Sequence, residues 1–267
     1  MEIFKAVLLG IIQGLTEFLP ISSSGHLVLA EHYLKFNNPD ISFEIILHLG
    51  SLFAVLLYFH KDISSLLKSL FLFKNKETIH TRNRNTIFYL LVATTVTGIL
   101  GLYFEEPLTK AFSSLYIPSF MLIITGFILY ISDKIEPSGI KTYQLGVKKS
   151  ILIGLVQAFA ILPGISRSGT TITVGIFAGL DREEAARFSF ILSIPAILGA
   201  NIHKFSSILN LDRSLWVSYI LGTFAAFISG YAVISFLITI VKKQKLKYFA
   251  IYCWLIAIIT LILYLKY

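Results

Sequence analysis

Cysteine and charge are both scarce in this chain of 267 residues. A single cysteine, Cys253, excludes an intramolecular disulfide framework and any cluster of thiolate metal ligands. Charged residues make up 14% of the chain, well short of the roughly one quarter that a water-soluble domain carries on its surface. There is no Gly-rich, Lys-containing nucleotide loop and no His/Cys metal spacing.

Apolar residues take the place of charge, at 55% of the chain with a mean hydropathy of +0.77. Six runs, at about residues 43–59, 86–104, 117–132, 187–202, 215–241 and 248–265, approach the roughly 20 apolar residues that a helix needs to cross hydrocarbon. The expected fold is therefore an all-α polytopic membrane protein. The apolar N-terminal run resembles a signal peptide, but Gln13 and Glu17 interrupt it, so it is expected to stay as part of the fold. Trp216, Trp254 and many of the tyrosines fall near span ends, where an interfacial aromatic belt is expected.

The net charge of +8 comes from Lys and Arg gathered in three connections, so nucleic-acid binding is not needed to explain it. Lys61, Lys68, Lys74, Lys76, Arg82 and Arg84 follow the first run. Lys134, Lys141, Lys148 and Lys149 follow the third, and Lys242, Lys243, Lys245 and Lys247 join the last two. The alternate connections hold little positive charge: Lys110 beside Glu105 and Glu106 in one, Lys204, Asp212 and Arg213 in another. The positive-inside rule then makes the basic side cytoplasmic and puts both termini outside.

Two further apolar segments, 3–34 and 150–180, are broken in the middle, at Glu17-Phe-Leu-Pro-Ile-Ser-Ser-Ser-Gly-His26 and Leu162-Pro-Gly-Ile-Ser-Arg-Ser-Gly-Thr-Thr171. Proline removes a donor and disfavours helix before it, while serine and glycine suit caps, so each segment reads as half-helix, break, half-helix. The two are copies at a constant offset of 144: Gly10 matches Gly154, Gln13 Gln157, Ser22 Ser166, Ser24 Ser168 and Gly25 Gly169. One re-entrant hairpin plus three spans, an odd number, makes the second copy inverted. The single membrane domain 1–267 then divides into repeats of about 1–133 and 145–267, with their breaks meeting inside the membrane.

A helix that restarts in mid-membrane presents backbone N–H groups and a positive dipole end, which suits an anion. Serine hydroxyls and glycine backbones add donors without bulk, and Arg167 adds a permanent cation of the geometry that fits phosphate. An arginine at that depth marks a functional site; the bland reading is a packing ion pair with Glu17. The copies differ where chemistry concentrates: Glu17 against Ile161, Ser23 against Arg167 and His26 against Thr170. Gln13 and Glu17 share one helix face, as do Ser22 and His26 if a helix restarts at the break. A carboxylate, a hydroxyl, an imidazole and an arginine fit hydrolysis of a phosphate ester or anhydride. Glu44 and His48 on the first span form either a second layer around this site or packing against polar backbone near the break.

With its two motifs, Gly14-Leu-Thr-Glu-Phe-Leu-Pro-Ile-Ser-Ser-Ser-Gly-His26 and Pro163-Gly-Ile-Ser-Arg-Ser-Gly-Thr-Thr171, the chain resembles the bacterial undecaprenyl-diphosphate phosphatase (bacitracin-resistance protein) family. Phe43-Glu44, Leu49-Gly-Ser51, Phe188-Ser-Phe190 and Pro195 extend the resemblance along most of the chain. It implies a multi-pass enzyme of the bacterial inner membrane that removes the terminal phosphate from a C55 polyprenyl diphosphate, regenerating the monophosphate carrier for peptidoglycan. Glu17 then becomes a catalytic or metal-holding carboxylate, Ser23 and His26 belong to the catalytic set, and Arg167 clamps the diphosphate. Gln13, Ser22, Ser24, Gly25, Ser166, Ser168, Gly169 and Thr171 surround the phosphate. The family often has Glu where this chain has Gln13, which puts a two-carboxylate site in doubt, while a divalent cation, Mg²⁺ or Ca²⁺, on Glu17 and the substrate phosphates is still expected, since such ions use one or two carboxylates. Attack by Ser23, with His26 moving the proton, and attack by activated water both remain open.

Two other functions compete. Inverted repeats with broken helices are also the architecture of secondary transporters and lipid flippases. A second class of membrane phosphatase carries Ser-Gly-His and a Ser-Arg followed six residues later by a histidine; Ser24-Gly-His26 and Ser166-Arg167 mimic it, but position 173 is Thr. Small residues in the fifth span, Gly222, Ala225, Ala226 and Gly230, permit close helix contact within the chain or in a homo-oligomer.

Overall fold

Where the apolar runs are uninterrupted, helices form. The computed structural model describes residues 2–34, 41–71, 78–112, 114, 116–203 and 215–266. In chain order these make α1 (Glu2–Phe18), α2 (Ser23–Leu34), α3 (Ile41–Tyr58), α4 (His60–Phe71), α5 (Thr78–Tyr103), α6 (Glu105–Phe112) and α7 (Tyr116–Ser132). A short 3-10 turn, Thr142–Gln144, precedes α8 (Val147–Phe159), α9 (Arg167–Phe177), α10 (Arg182–His203), α11 (Trp216–Lys242) and α12 (Lys247–Lys266). Among the described residues there is no strand, only an isolated bridge between Ile140 and Leu180.

Helices α5, α10 and α11 are each long and apolar enough to cross a bilayer, and α3 with α4, bent by 78° between them, makes a fourth if taken as one broken path. The apolar helix α7 and the apolar part of α12 are shorter. All six expected runs are thus helical. The charged connection after the first is not a plain loop: Lys61 and Lys68 ride on α4, and Arg82 and Arg84 on the start of α5. Charge ends an apolar run without ending a helix, and for that reason the boundaries moved. Lys74, Lys76, Lys204, Asp212 and Arg213 lie outside the described residues.

The distribution of polarity is that of a protein in hydrocarbon. Phe88, Leu91, Ile99 and Leu102 on α5, Ile220, Phe224 and Ile228 on α11, and Leu255, Ile259 and Ile262 on α12 all face outward. Each would cost about 1.5–3 kcal/mol to leave in water. The interior holds Gln13, Glu17, Ser51, Gln157, Ser166, Ser168 and Ser189, all buried. This arrangement is stable when lipid covers the outside and protein satisfies the polar groups within.

Ion pairs and backbone contacts collect the basic segments at one end. Arg187 pairs with Asp62, Lys242 with Glu183 at 2.9 Å and Lys141 with Glu184 at 3.7 Å. Asp133 accepts from the amides of Leu246 and Lys247 at 3.1 and 2.9 Å. Such exposed pairs add little stability, but they put the connections after α3, α7 and α11 side by side. Away from them, His203 at the end of α10 meets Glu105 of α6 at 3.1 Å.

The broken segments are seated by glycine. Along α11, a Cβ on Gly10 would come 2.1 Å from the Gly222 carbonyl oxygen, and one on Gly14 2.2 Å from that of Ala226. Helix α8 meets α5 in the same manner, with Gly154 against the carbonyl of Ala93. There Thr97 donates to the Gly154 carbonyl at 3.0 Å and Gln157 donates to Thr97 at 3.0 Å. The small-residue seam of the fifth span is therefore filled within the chain, by α1 and α3. Gly14→Val is expected to cost at least roughly 1–3 kcal/mol through overpacking. Gly98→Ala, where a Cβ meets nothing within 4 Å, should leave stability unchanged; thermal unfolding of detergent-purified protein compares the two.

Candidate active site

Proline 20 fixes the first break. Helix α1 stops at Phe18, the chain turns through residues 19–22, and Ser22 takes a left-handed backbone with φ 69°. The Ser22 hydroxyl oxygen accepts from the Gly25 amide at 3.3 Å, the usual N-cap bond, and from the Gly164 amide of the other break at 3.1 Å. In the second segment α8 stops at Phe159, and Ser166 caps α9 by accepting from the Gly169 amide at 3.1 Å. Gly164 has no substitute, since its φ is +99° and a Cβ would lie 2.3 Å from the Pro118 carbonyl oxygen.

The two caps share their serine pairing, although Ser166, unlike Ser22, has extended backbone. Ser22 and Ser24 hold their hydroxyls 3.3 Å apart, and so do Ser166 and Ser168. Ser168 donates to the Leu19 carbonyl at 3.4 Å, so each break is bonded to the other. Thr125 of α7 braces the second break by donating to the Gly164 carbonyl at 2.8 Å and accepting from the Ser166 amide at 3.0 Å. The starts of α2 and α9 thus converge, with two positive helix ends at one place.

Glu17, 7% exposed, sits where they converge. Its Oε1 accepts from Arg167 Nη2 at 2.9 Å. Its Oε2 accepts from Ser23 Oγ at 2.5 Å and from Gln13 Nε2 at 3.1 Å, with His48 Nε2 at 3.4 Å. His48 is aimed by its other nitrogen, which donates to the Glu44 carbonyl at 2.7 Å. Arg167 also donates through Nη1 to the Ser189 carbonyl at 3.1 Å, and Thr171 braces this corner by donating to the Arg167 carbonyl at 2.8 Å with its hydroxyl 2.6 Å from that of Ser189. A hydroxyl in short contact with a carboxylate, beside an arginine, is an arrangement able to serve as nucleophile, base and anion clamp.

His26 takes a different course. Its Nδ1 donates to the Ser22 carbonyl at 2.8 Å and its Nε2 lies 2.9 Å from the Tyr252 hydroxyl. The proton of Ser23 therefore faces Glu17 rather than His26, which differs from the expected division of labour. Gln13, Glu17, Ser23 and Arg167 are brought into direct contact, while Ser22, Ser24, Gly25, Ser166, Ser168 and Gly169 build the caps. His48 belongs to the same group, in keeping with the second-layer reading. Ser51, which Gln13 reaches at 3.4 Å, and Ser189 were legible only as members of motifs of the resemblance, and Thr125 and Tyr252 carried no signal as site residues, because a lone polar residue on an apolar helix looks the same wherever it points.

A resident divalent cation does not fit this donor set. Both oxygens of Glu17 are engaged, Oε1 by the Arg167 guanidinium and Oε2 by Ser23, and the Gln13 amide turns its N–H donor, not an acceptor oxygen, to that carboxylate. Among the described residues no three His, Cys, Asp or Glu side chains come together as ligands.

Comparison with known proteins gives one consistent answer. The family model described as "Bacitracin resistance protein BacA" matches residues 6–259. An undecaprenyl-diphosphatase of Methanobrevibacter smithii is 43% identical over 97% of both chains, and one of Halothermothrix orenii is 42% identical over 98% of both. Undecaprenyl-diphosphatase 1 of Shouchella clausii is 39% identical over 98% of this chain and 96% of its own.

Because Glu17 and Arg167 are both largely buried, removing one strands the other. Glu17→Leu is expected to lose about 3–5 kcal/mol of stability, and Glu17→Leu combined with Arg167→Met to recover most of it. Thermal unfolding of the two variants beside wild type checks this.

Proposed function

The chain belongs to the BacA family of bacitracin resistance proteins, and from that premise we propose that it hydrolyses undecaprenyl diphosphate to undecaprenyl phosphate and inorganic phosphate. Such a reaction recycles the lipid carrier for peptidoglycan and, by consuming the diphosphate form, confers bacitracin resistance. The observation that carries this reading is the Ser23–Glu17 contact of 2.5 Å beside Arg167, set between two helix starts.

In the proposed reaction Ser23 Oγ attacks the terminal phosphorus, its proton passes to Glu17 Oε2, and the bond from that phosphorus to the bridging oxygen breaks. Undecaprenyl phosphate leaves with the bridging oxygen, and water then releases phosphate from the serine. Protonation of Glu17 weakens its hold on Arg167, which frees the guanidinium fork for the phosphoryl oxygens as charge builds there. The amides at the starts of α2 and α9 receive the rest of that charge. His26 supports the leaving side, and no step is routed through a resident metal. In the alternative Glu17 takes the proton of an attacking water, phosphate forms in a single displacement as undecaprenyl phosphate leaves, and no serine ester is made.

The same reading includes two inverted repeats, 1–133 and 145–267. Its support is the matching caps at the 144-residue offset and the exchange of partners, α1 on α11 and α8 on α5. It puts the protein in the bacterial inner membrane with the basic end cytoplasmic and the site opening to the outside. In a Cys253→Ala background, an impermeant thiol reagent added to intact cells should label Glu106→Cys and not Lys243→Cys; the reverse pattern inverts the orientation.

Phosphate release from polyprenyl diphosphate by purified protein tests the activity. Arg167→Lys, which keeps the charge and loses the fork, and Glu17→Gln should each fall at least about a hundredfold. Ser23→Ala should fall roughly a thousandfold or more; a fall within tenfold would give the attack to water. A folded wild type that releases no phosphate would favour the lipid-moving reading that broken helices also support.

A further inference from the structure

His26 is held from outside its own repeat. Helix α12 lies against the first break, where the Cys253 sulfur approaches the Pro20 carbonyl at 4.0 Å and Ala250 and Ala257 pack with Ile21 and Leu29. On its other flank Trp254 donates to the Ile123 carbonyl at 3.1 Å. With Cys253 and Trp254 so placed, Tyr252 is turned to His26: the rings lie 9° from parallel with centroids 5.6 Å apart, and the phenol oxygen is 2.9 Å from Nε2.

A carbonyl oxygen only accepts, so the bond to Ser22 puts a proton on Nδ1. In the neutral ring Nε2 is then the acceptor, and the Tyr252 hydroxyl is the group that donates to it. The ring would keep its Ser22 bond without Tyr252, since a half-buried Nε2 can bind water. What the phenol adds is a fixed ring orientation and a defined partner at the nitrogen that is not bonded to the backbone.

We propose that Tyr252 is a positioning residue for His26, holding the imidazole as the Nδ1–H tautomer so that Nε2 is the nitrogen that handles the proton on the leaving side of the reaction. Nδ1 is committed to the backbone, so only Nε2 can exchange a proton with the substrate, after the phenol gives way to it. This rests on the phosphatase reading above and adds a residue from the far end of the chain to the site.

A double-mutant cycle with Tyr252→Phe and His26→Gln, in full-length protein in detergent, tests it. Tyr252→Phe keeps the ring and should lower kcat roughly tenfold with KM changed by no more than about twofold. In the His26→Gln background the same change should add nothing, because its effect passes through the imidazole. A kcat unchanged by Tyr252→Phe, or losses that multiply in the double variant, would overturn the proposal. An independent readout comes from 15N-histidine NMR, with His26 identified by the signals lost in His26→Gln. The wild type should show a protonated Nδ1 and an acceptor Nε2, and Tyr252→Phe should move the Nε2 resonance; an unmoved resonance contradicts the hold itself. If His26→Gln retains the full wild-type rate, it is the role of His26 in the phosphatase reading that fails, and the NMR result still decides whether Tyr252 orients the ring.

Discussion

A helix interrupted inside an apolar molecule leaves backbone amides and carbonyls that neither lipid nor water can satisfy, and here two such interruptions solve the problem for each other. The Ser22 hydroxyl receives the amide of Gly164 and Ser168 donates to the carbonyl of Leu19, while Thr125 satisfies the Gly164 carbonyl and the Ser166 amide within the second break. An unpaired group at that depth costs several kcal/mol. The two breaks are thus tied together before any question of chemistry arises. Glycine makes the approach feasible, through the φ of Gly164 and the bare faces of Gly10, Gly14 and Gly154.

That junction also creates the electrostatic setting of the site. Two helix starts converge on it, and an arginine stands at the first position of one of them. So much positive character in a low-dielectric interior needs an anion, and Glu17 is that anion. The same carboxylate holds the Ser23 hydroxyl, so under the proposed reaction Glu17 stands where it can exchange the arginine for the phosphoryl group. Substituting Gln13 for a second carboxylate fits this economy, because the amide donates to Glu17 instead of competing with it.

The two broken segments share a pattern of caps and differ in their charge. Ser22 and Ser166 each accept from the amide three residues on, while Glu17, Ser23 and His26 stand in one segment and Arg167 in the other, and Glu17 and Arg167 meet as an ion pair. Helices from elsewhere finish the site: α3 brings His48, α10 brings Ser189 and α12 brings Tyr252.

The sequence by itself determined what depends on neighbours along the chain. Apolar run lengths defined the helices, Pro20 and Pro163 with the following serines located the breaks and caps, and the 144-residue offset related them. The contact between Glu17 and Arg167 was foreseeable as one reading, because an unpaired arginine in hydrocarbon is so costly. Tertiary structure alone decided which polar side chain meets which. Ser23 turned to Glu17 and His26 to Tyr252, although Ser23 and His26 are three positions apart and read as partners. His48, Ser189 and Thr125 joined the site through helix rotation and contact between distant segments, which hydrophobic periodicity does not encode when a helix is apolar on nearly every face. For the same reason α4 and the early start of α5 escaped notice: a charged helix end beyond the hydrocarbon looks like a loop until its backbone bonds are seen.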